Sequence, residues 1–169
     1  QVGERLALAL AAGGAGSFVW DLGTRQAAWD DGAHALHGMA PGSFSGRYED
    51  WRPLVHPDDL ERLEAAVRDS IEASWQDEFS LEFRVRRADT GEERWIGARG
   101  RIVRDAQGRA LSVIGVNLDL TAAKRAEQHL AVSEERLRLA VEAMDLGLFD
   151  HDPRTGASWW SPRMREMFG

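Results

Sequence analysis

The most restrictive feature of this 169-residue sequence is a run of three consecutive segments with the pattern of β-strands. In the first segment every second residue is apolar: Phe79, Leu81, Phe83 and Val85. This alternation is typical of a strand that is buried on one face. Turn-forming residues at 89–91 and 105–108 lead into further predicted strands over 93–103 and 110–119. Three long strands joined by short turns predict an antiparallel sheet.

Shorter strands and several helices are predicted ahead of this sheet. They comprise strands over 17–22 and 26–30 and helices over 31–36 and 48–55. Pro57 then opens a longer helix, in which apolar residues recur at helical spacing as far as Ile71. The sequence therefore predicts an α+β fold. Its five-stranded antiparallel sheet has the first two strands beside the last three and helices on one face.

The polar, alanine-rich segment over 121–144 contains neither Gly nor Pro and predicts one long helix. Leu130, Leu137 and Met144 recur at intervals of seven residues, which is typical of the seam of a parallel dimeric coiled coil. We therefore expect a homodimer in which these three residues take part. Packing of the helix on its own domain is the alternative, and the small number of heptads leaves it open.

The sequence also repeats itself, without gaps, at a shift of 131 residues. Of the 35 positions from 4 to 38, 12 are identical to their counterparts. A period this long indicates tandem domains rather than a solenoid, whose repeats run about 20–50 residues. The predicted organisation is a linker helix over 1–14, a domain over 15–120, a helical linker over 121–144 and the truncated start of a second copy over 145–169.

Charge and composition exclude several functions. The net charge of −7 makes the surface repel nucleic-acid phosphate and anionic lipid, so neither is an expected partner. There is no cysteine, which excludes disulfides and thiolate chemistry and fits a reducing, cytoplasmic location. The longest apolar run, residues 6–16, is too short to span a bilayer.

No catalytic or metal site is predicted. We interpret Asp58, Asp59 and Glu61 as partners of a positive helix end on a solvated face, rather than as acid–base groups. His56 precedes this helix beside Pro57, which favours a role in the turn over ligation of a metal. The other histidines lack metal-ligand spacing, and no phosphate-binding loop or nucleophile elbow occurs. The fragment is therefore not expected to be an enzyme.

Several motifs occur in a fixed order along the chain. They are GSFVWD at 16–21, Trp51 followed by VHPDD at 55–59, EFRV at 82–85, RWI at 94–96 and GVNLDLT at 115–121. Their order and spacing resemble the PAS family, in the form with a C-terminal PAC motif that is common in bacterial sensors. The last motif is similar to the terminal Asp-Ile-Thr signature of that family. The resemblance covers residues 14–121 and restarts near residue 145.

The resemblance implies a sensory and dimerisation module that is not itself catalytic. Such modules lie upstream of a histidine kinase or a cyclic-dinucleotide synthase or hydrolase in the same chain, and the helix leaving the last strand carries the signal. The resemblance also implies that Asp119 and Thr121 hold that helix against the core. The plainer interpretation is that Thr121 caps the helix and Asp119 ends a strand, and the two interpretations are compatible.

A small-molecule ligand, if one binds, is expected between the helices and the inner face of the sheet. The side chains assigned to this pocket are Trp51, Leu63, Val67, Phe79, Leu81, Phe83 and Val85. We expect no cofactor, and the absence of cysteine excludes the family branch that bonds flavin to this residue. A sensor of redox state, gas or light that holds heme or flavin without such a bond is the alternative.

Overall fold

The computed structural model of this chain describes residues 13–73, 77–143 and 149–168. The chain divides into two compact units, Gln1–Lys124 and Arg125–Gly169. Of the linker helix predicted over 1–14, all but the last two residues lie outside the described residues. Among the described helices, none is long and apolar enough to cross a membrane.

The first unit contains a five-stranded antiparallel sheet, as predicted. Its strands are β1 (Ala15–Asp21), β2 (Gln26–Trp29), β3 (Glu78–Arg86), β4 (Glu93–Arg104) and β5 (Ala110–Asp119). Their spatial order is β2-β1-β5-β4-β3, so the first two strands lie beside the last three. The two predicted hairpins, β3–β4 and β4–β5, are both present.

Helical elements connect β2 to β3. They are α1 (Asp31–Leu36), α2 (Tyr48–Trp51), a 3₁₀ helix (Arg52–Leu54) and α3 (Pro57–Glu72). The single helix predicted over 48–55 is therefore split at Pro53, because proline cannot donate the backbone hydrogen bond that would continue an α-helix. The ring of His56 caps α3 by accepting a hydrogen bond from the N–H of Asp58 at 3.2 Å, which confirms its role in the turn.

The core lies between α3 and one face of the sheet. Period-two alternation turns the apolar residues of β3 and β4 toward the helices, and α3 contributes its own apolar stripe. The fully buried members are Leu36, Val55, Leu63, Phe83, Val85, Ile96 and Ala98. Two glycines allow α1 to cross β1 closely, because a Cβ on Gly16 would lie 2.0 Å from the N of Ala33 and one on Gly32 2.3 Å from the O of Ala15.

A long helix and a small hairpin follow β5. Helix α4 (Thr121–Ala143) has the predicted extent as far as the described residues reach, and Met144 lies outside them. In the second unit, β6 (Phe149–His151) and β7 (Ser158–Trp160) pair in antiparallel fashion and are followed by α5 (Pro162–Phe168). Phe149 is paired with Trp160, which is the register of Phe18 with Trp29 in the first unit.

Candidate functional site

The structure brings together all seven side chains that were assigned to the ligand pocket. Leu63, Phe83 and Val85 are fully buried between α3 and β3. The other four are half-buried and pack against the same cluster: Trp51, Val67, Phe79 and Leu81. The alternation of β3 and the helical spacing of α3 therefore located the interior of the domain correctly.

The space between these side chains is small. A cavity of about 20 Å³ lies between the C-terminal half of α3 and the sheet, lined by Val67, Ser70, Ile71, Phe79, Ile102 and Val113. Such a volume admits one water molecule, whereas pockets for ligands measure about 300–1,000 Å³.

Aromatic side chains occupy the region between α1, α2 and the sheet. The Trp29 ring stacks on Phe44, with ring centres 3.9 Å apart, and on His37 at 4.3 Å. The indole N–H of Trp51 donates a hydrogen bond to Nε2 of His37 at 3.2 Å, and the Trp51 ring meets Phe83 edge-on. These contacts link the edge of the sheet to the core around α3.

His37 is the residue of this cluster that the sequence did not reveal. Its ring is fully buried, and Nδ1 lies 2.9 Å from the carbonyl oxygen of Ala33, so Nδ1 donates there while Nε2 accepts from Trp51. Burial lowers the pKa of His37 to about 4, which makes the ring neutral at physiological pH. Both nitrogens have partners, so ligation of heme iron would require the loss of at least one hydrogen bond.

His34 plays a comparable structural role. Its Nδ1 lies 2.8 Å from the carbonyl oxygen of Asp30, and its Nε2 accepts a hydrogen bond from the N–H of Gly42 at 3.2 Å. It therefore ties α1 to the loop that follows. In the ranges that the structure describes, no group of three His, Asp or Glu side chains could hold a metal ion.

Asp59 corrects one sequence-based expectation, because its side chain is buried rather than solvated. Its Oδ2 accepts hydrogen bonds from the backbone N–H of Arg84 at 2.8 Å and from Nε of Arg84 at 2.9 Å, and its Oδ1 accepts from Nη2 at 2.8 Å. These bonds lower the pKa of Asp59. Asp59 thus fixes the start of α3 to β3. Neither the helical spacing of α3 nor the alternation of β3 indicates this contact, because the two residues are far apart in the sequence.

The two relay candidates meet at the junction of β5 and α4. Asp119 accepts hydrogen bonds from the N–H of Thr121 at 2.8 Å and from Nη1 of Arg94 at 2.6 Å. The hydroxyl of Thr121 accepts from the N–H of Trp95 at 3.0 Å, and the N–H of Leu120 donates to the O of Trp95 at 2.8 Å. Although burial by itself raises the pKa of Asp119, the bonds from Thr121 and Arg94 lower it overall. The start of α4 is therefore bound to β4.

Beyond this junction, the body of α4 exposes apolar side chains. Leu130 and Leu137 are 62% and 66% exposed, and Val132 and Leu139 are exposed as well. The third predicted contact residue, Met144, lies outside the described residues. Exposed leucines seven residues apart on one helix form an apolar surface of the kind that proteins use for association.

Comparison with known proteins gives a consistent result. The family model described as "PAS fold" matches residues 26–117. "Probable diguanylate cyclase DgcE" of Escherichia coli is 28% identical over 169 residues, and "Sensor protein FixL" of Bradyrhizobium diazoefficiens is 28% identical over 167. The matches include 100% and 99% of this chain, but only 15% and 32% of those relatives.

A solved structure supports the same relationship. The crystal structure of a sensory box histidine kinase/response regulator from Burkholderia thailandensis is 30% identical, with a TM-score of 0.66. The similarity covers 79% of this chain and 98% of that one. Similar proteins thus include sensor kinases and diguanylate cyclases, which confirms the predicted class of sensory module. The chain belongs to the PAS family.

Proposed function

We propose that this chain is the sensing and dimerising part of a larger cytoplasmic signalling protein, and that α4 carries the signal to an output domain in the same chain. The main support for this proposal is the junction of β5 and α4 at Asp119 and Thr121. These residues join the start of α4 to β4 by side-chain hydrogen bonds. A rearrangement of the sheet therefore changes how α4 leaves the domain.

The exposed leucines of α4 support dimerisation through this helix. Leu130 and Leu137 stand on one face of the helix, and an association that buries them gains about 25 cal/mol for each Å² of apolar surface removed from water. In a parallel dimer two such helices run side by side toward their output domains. A change at the junction then alters both helices together.

The module itself is proposed to be non-catalytic and to carry no chromophore. The buried carboxylate of Asp59 is paired with Arg84, and the buried His37 is neutral with both nitrogens bonded. Neither group is free for acid–base work. The aromatic cluster and the 20 Å³ cavity lie in the part of the core where a small molecule or a partner contact is proposed to act. Heme or flavin absorption in the purified protein would contradict this part of the proposal.

The segment after α4 is proposed to begin a second PAS copy. The hairpin β6–β7 repeats the register of β1–β2, and α5 follows it as α1 follows β2. The sequence identity at a shift of 131 residues coincides with this structural correspondence. The module is thus expected to lie within a series of such domains.

The dimer is tested by replacing both Leu130 and Leu137 with Lys and measuring the mass by light scattering. Charges within the apolar seam should convert the dimer to a monomer and halve the mass. The double change Gln128→Lys and Ala131→Lys adds the same charge outside the seven-residue seam and should leave the dimer intact. An unchanged mass in the leucine variant would place the interface elsewhere.

The relay is tested in the longer protein that carries the output domain. Thr121→Val removes the acceptor for the N–H of Trp95 while keeping a side chain of similar shape. We expect faster amide hydrogen exchange in the first turns of α4 and an altered basal output activity. Retained exchange rates and unaltered activity would show that Thr121 does not act as a relay.

A further inference from the structure

The outer edge of β3 forms hydrogen bonds with the segment around the start of α3. Strand β3 lies at the edge of the sheet, where unpaired backbone groups normally need a partner. The N–H of Arg84 donates to Asp59, and the carbonyl oxygen of Arg84 accepts from the N–H of His56 at 2.9 Å. Nη2 of Arg62 donates to the carbonyl oxygen of Glu82 at 2.8 Å. A shift of α3 therefore disturbs β3 directly.

The side chain of Arg84 extends this contact to β4. Its guanidinium is held in a two-pronged pair with Asp59, and its central carbon lies 5.5 Å from the centre of the Trp95 ring. Arg84 and Trp95 are directly opposite each other in the β3–β4 pairing. A guanidinium at this distance is attracted to the face of an indole ring. Two-pronged pairing requires a defined geometry, so α3 controls the position of this guanidinium.

The same ring is contacted by the first turn of α4. Nζ of Lys124 lies 5.3 Å from the centre of the Trp95 ring and 2.8 Å from Oε2 of Glu82 on β3. The two cations near the ring are thus each paired with a carboxylate, Arg84 with Asp59 and Lys124 with Glu82. The backbone of Trp95 also bonds to Leu120 and Thr121. Trp95 therefore contacts both Arg84, which is paired with Asp59 of α3, and the first turn of α4.

We propose that Arg84, Trp95 and Lys124 form a second link to the exit helix, additional to the Asp119–Thr121 junction, through which the position of α3 sets how firmly the first turn of α4 is held. The link rests on the proposed relay function, because it would pass a displacement of α3 to the helix that carries the signal. Helix α3 packs on the core through Leu63 and Val67. A perturbation of the core that displaces α3 separates Asp59 from Arg84, and the contacts around Trp95 then loosen.

Amide hydrogen exchange of the full chain tests this link, with residues 124–128 as the readout. Asp59→Asn removes one charge from α3 and weakens the pair with Arg84. We expect these amides to exchange about threefold to tenfold faster. Glu64→Gln is the matched control, because Glu64 also lies on α3 and pairs with an arginine, Arg52 at 2.8 Å, away from Trp95. The control should change exchange by less than about twofold.

A double variant shows whether Asp59 and Lys124 act through the same contacts or affect the first turn of α4 independently. Lys124→Met alone should accelerate the same amides, and adding Asp59→Asn should accelerate them little further, since the connection is already broken. Multiplied effects in the double variant, or equal effects of Asp59→Asn and Glu64→Gln, would overturn the proposal. If Asp59→Asn does not fold, Arg84→Lys keeps the charge but loses the two-pronged geometry and takes its place. Faster exchange in Thr121→Val but not in Asp59→Asn would retain the proposed relay and reject this second link.

Discussion

The hairpin β1–β2 and the hairpin β6–β7 have the same register but different surroundings. Phe18 is paired with Trp29 in the first, and Phe149 with Trp160 in the second. An aspartate accepts a backbone hydrogen bond within each turn, Asp21 from the N–H of Thr24 at 2.7 Å and Asp152 from that of Arg154 at 2.8 Å. A polar side chain caps the helix that follows in both cases. The two hairpins therefore share their register, the aspartate bond in the turn and the cap of the following helix.

Burial is where the hairpins differ. Phe18 lies over β5, where a Cβ on Gly115 would come within 2.9 Å of its ring, and Trp29 stacks on Phe44 and His37. In the second hairpin, by contrast, Phe149 is 65% exposed and Trp160 is 40% exposed. Only the first hairpin is paired with a third strand among the described residues. Burial of these rings therefore depends on residues far along the chain, such as Gly115 on β5.

The largest expected difference between the hairpins is in the two tryptophans. Trp29→Ala should lower the free energy of unfolding by about 3 kcal/mol, because it leaves a void between Phe44 and His37. Trp160→Ala should change it by less than about 0.5 kcal/mol, since substitutions at exposed positions have small effects. Urea denaturation followed by circular dichroism measures both. Equal losses would show that Trp160 is covered in solution.

A second difference is in the dependence of stability on pH. His37 can take up a proton, whereas Phe168, the residue at the corresponding position 131 residues later, cannot. The pKa of His37 is lowered to about 4, so the unfolded chain takes up a proton on this side chain near pH 6.5 and the folded chain does not. Its contribution to stability is therefore complete above pH 6.5 and is lost as the pH falls toward 4. Between pH 7 and pH 5 we expect a loss of about 2 kcal/mol that His37→Gln abolishes. Parallel pH profiles for the two proteins would contradict neutral burial of this ring.

The smallest expected difference lies in the helix caps. Asp30 accepts from the N–H of Ala33 at 2.8 Å and from the hydroxyl of Ser17 at 2.7 Å, so Asp30→Ala should cost about 1–2 kcal/mol. Asp30→Ser introduces the residue found at the corresponding position, Ser161, and should cost less because serine also caps helices. Thermal or urea unfolding distinguishes the two variants. An equal cost would mean that the bond to Ser17, rather than the cap, carries the effect.

Residues outside the periodic patterns escaped prediction. Asp59 and Arg84 are 25 positions apart, and nothing in either local segment indicates that they meet. His37 stands after α1 without any motif, although its ring is fully buried. The junction residues Asp119 and Thr121 were identified only through family resemblance, and their partners Arg94 and Trp95 became clear from the pairing of β4 with β5. Long-range polar contacts leave no periodic trace in the sequence.

The strands, most of the helices, the inward face of β3 and the repeat of the hairpin could be predicted from the sequence. These features arise from interactions between neighbouring residues, and their periods of two and 3.6 residues can be observed directly. The burial of Asp59, the neutral state of His37 and the approach of Lys124 and Arg84 to the Trp95 ring could be seen only once the chain was folded. Burial and protonation depend on which polar groups are removed from water and which partners they then have. Both are set when segments that are distant in the sequence pack against one another.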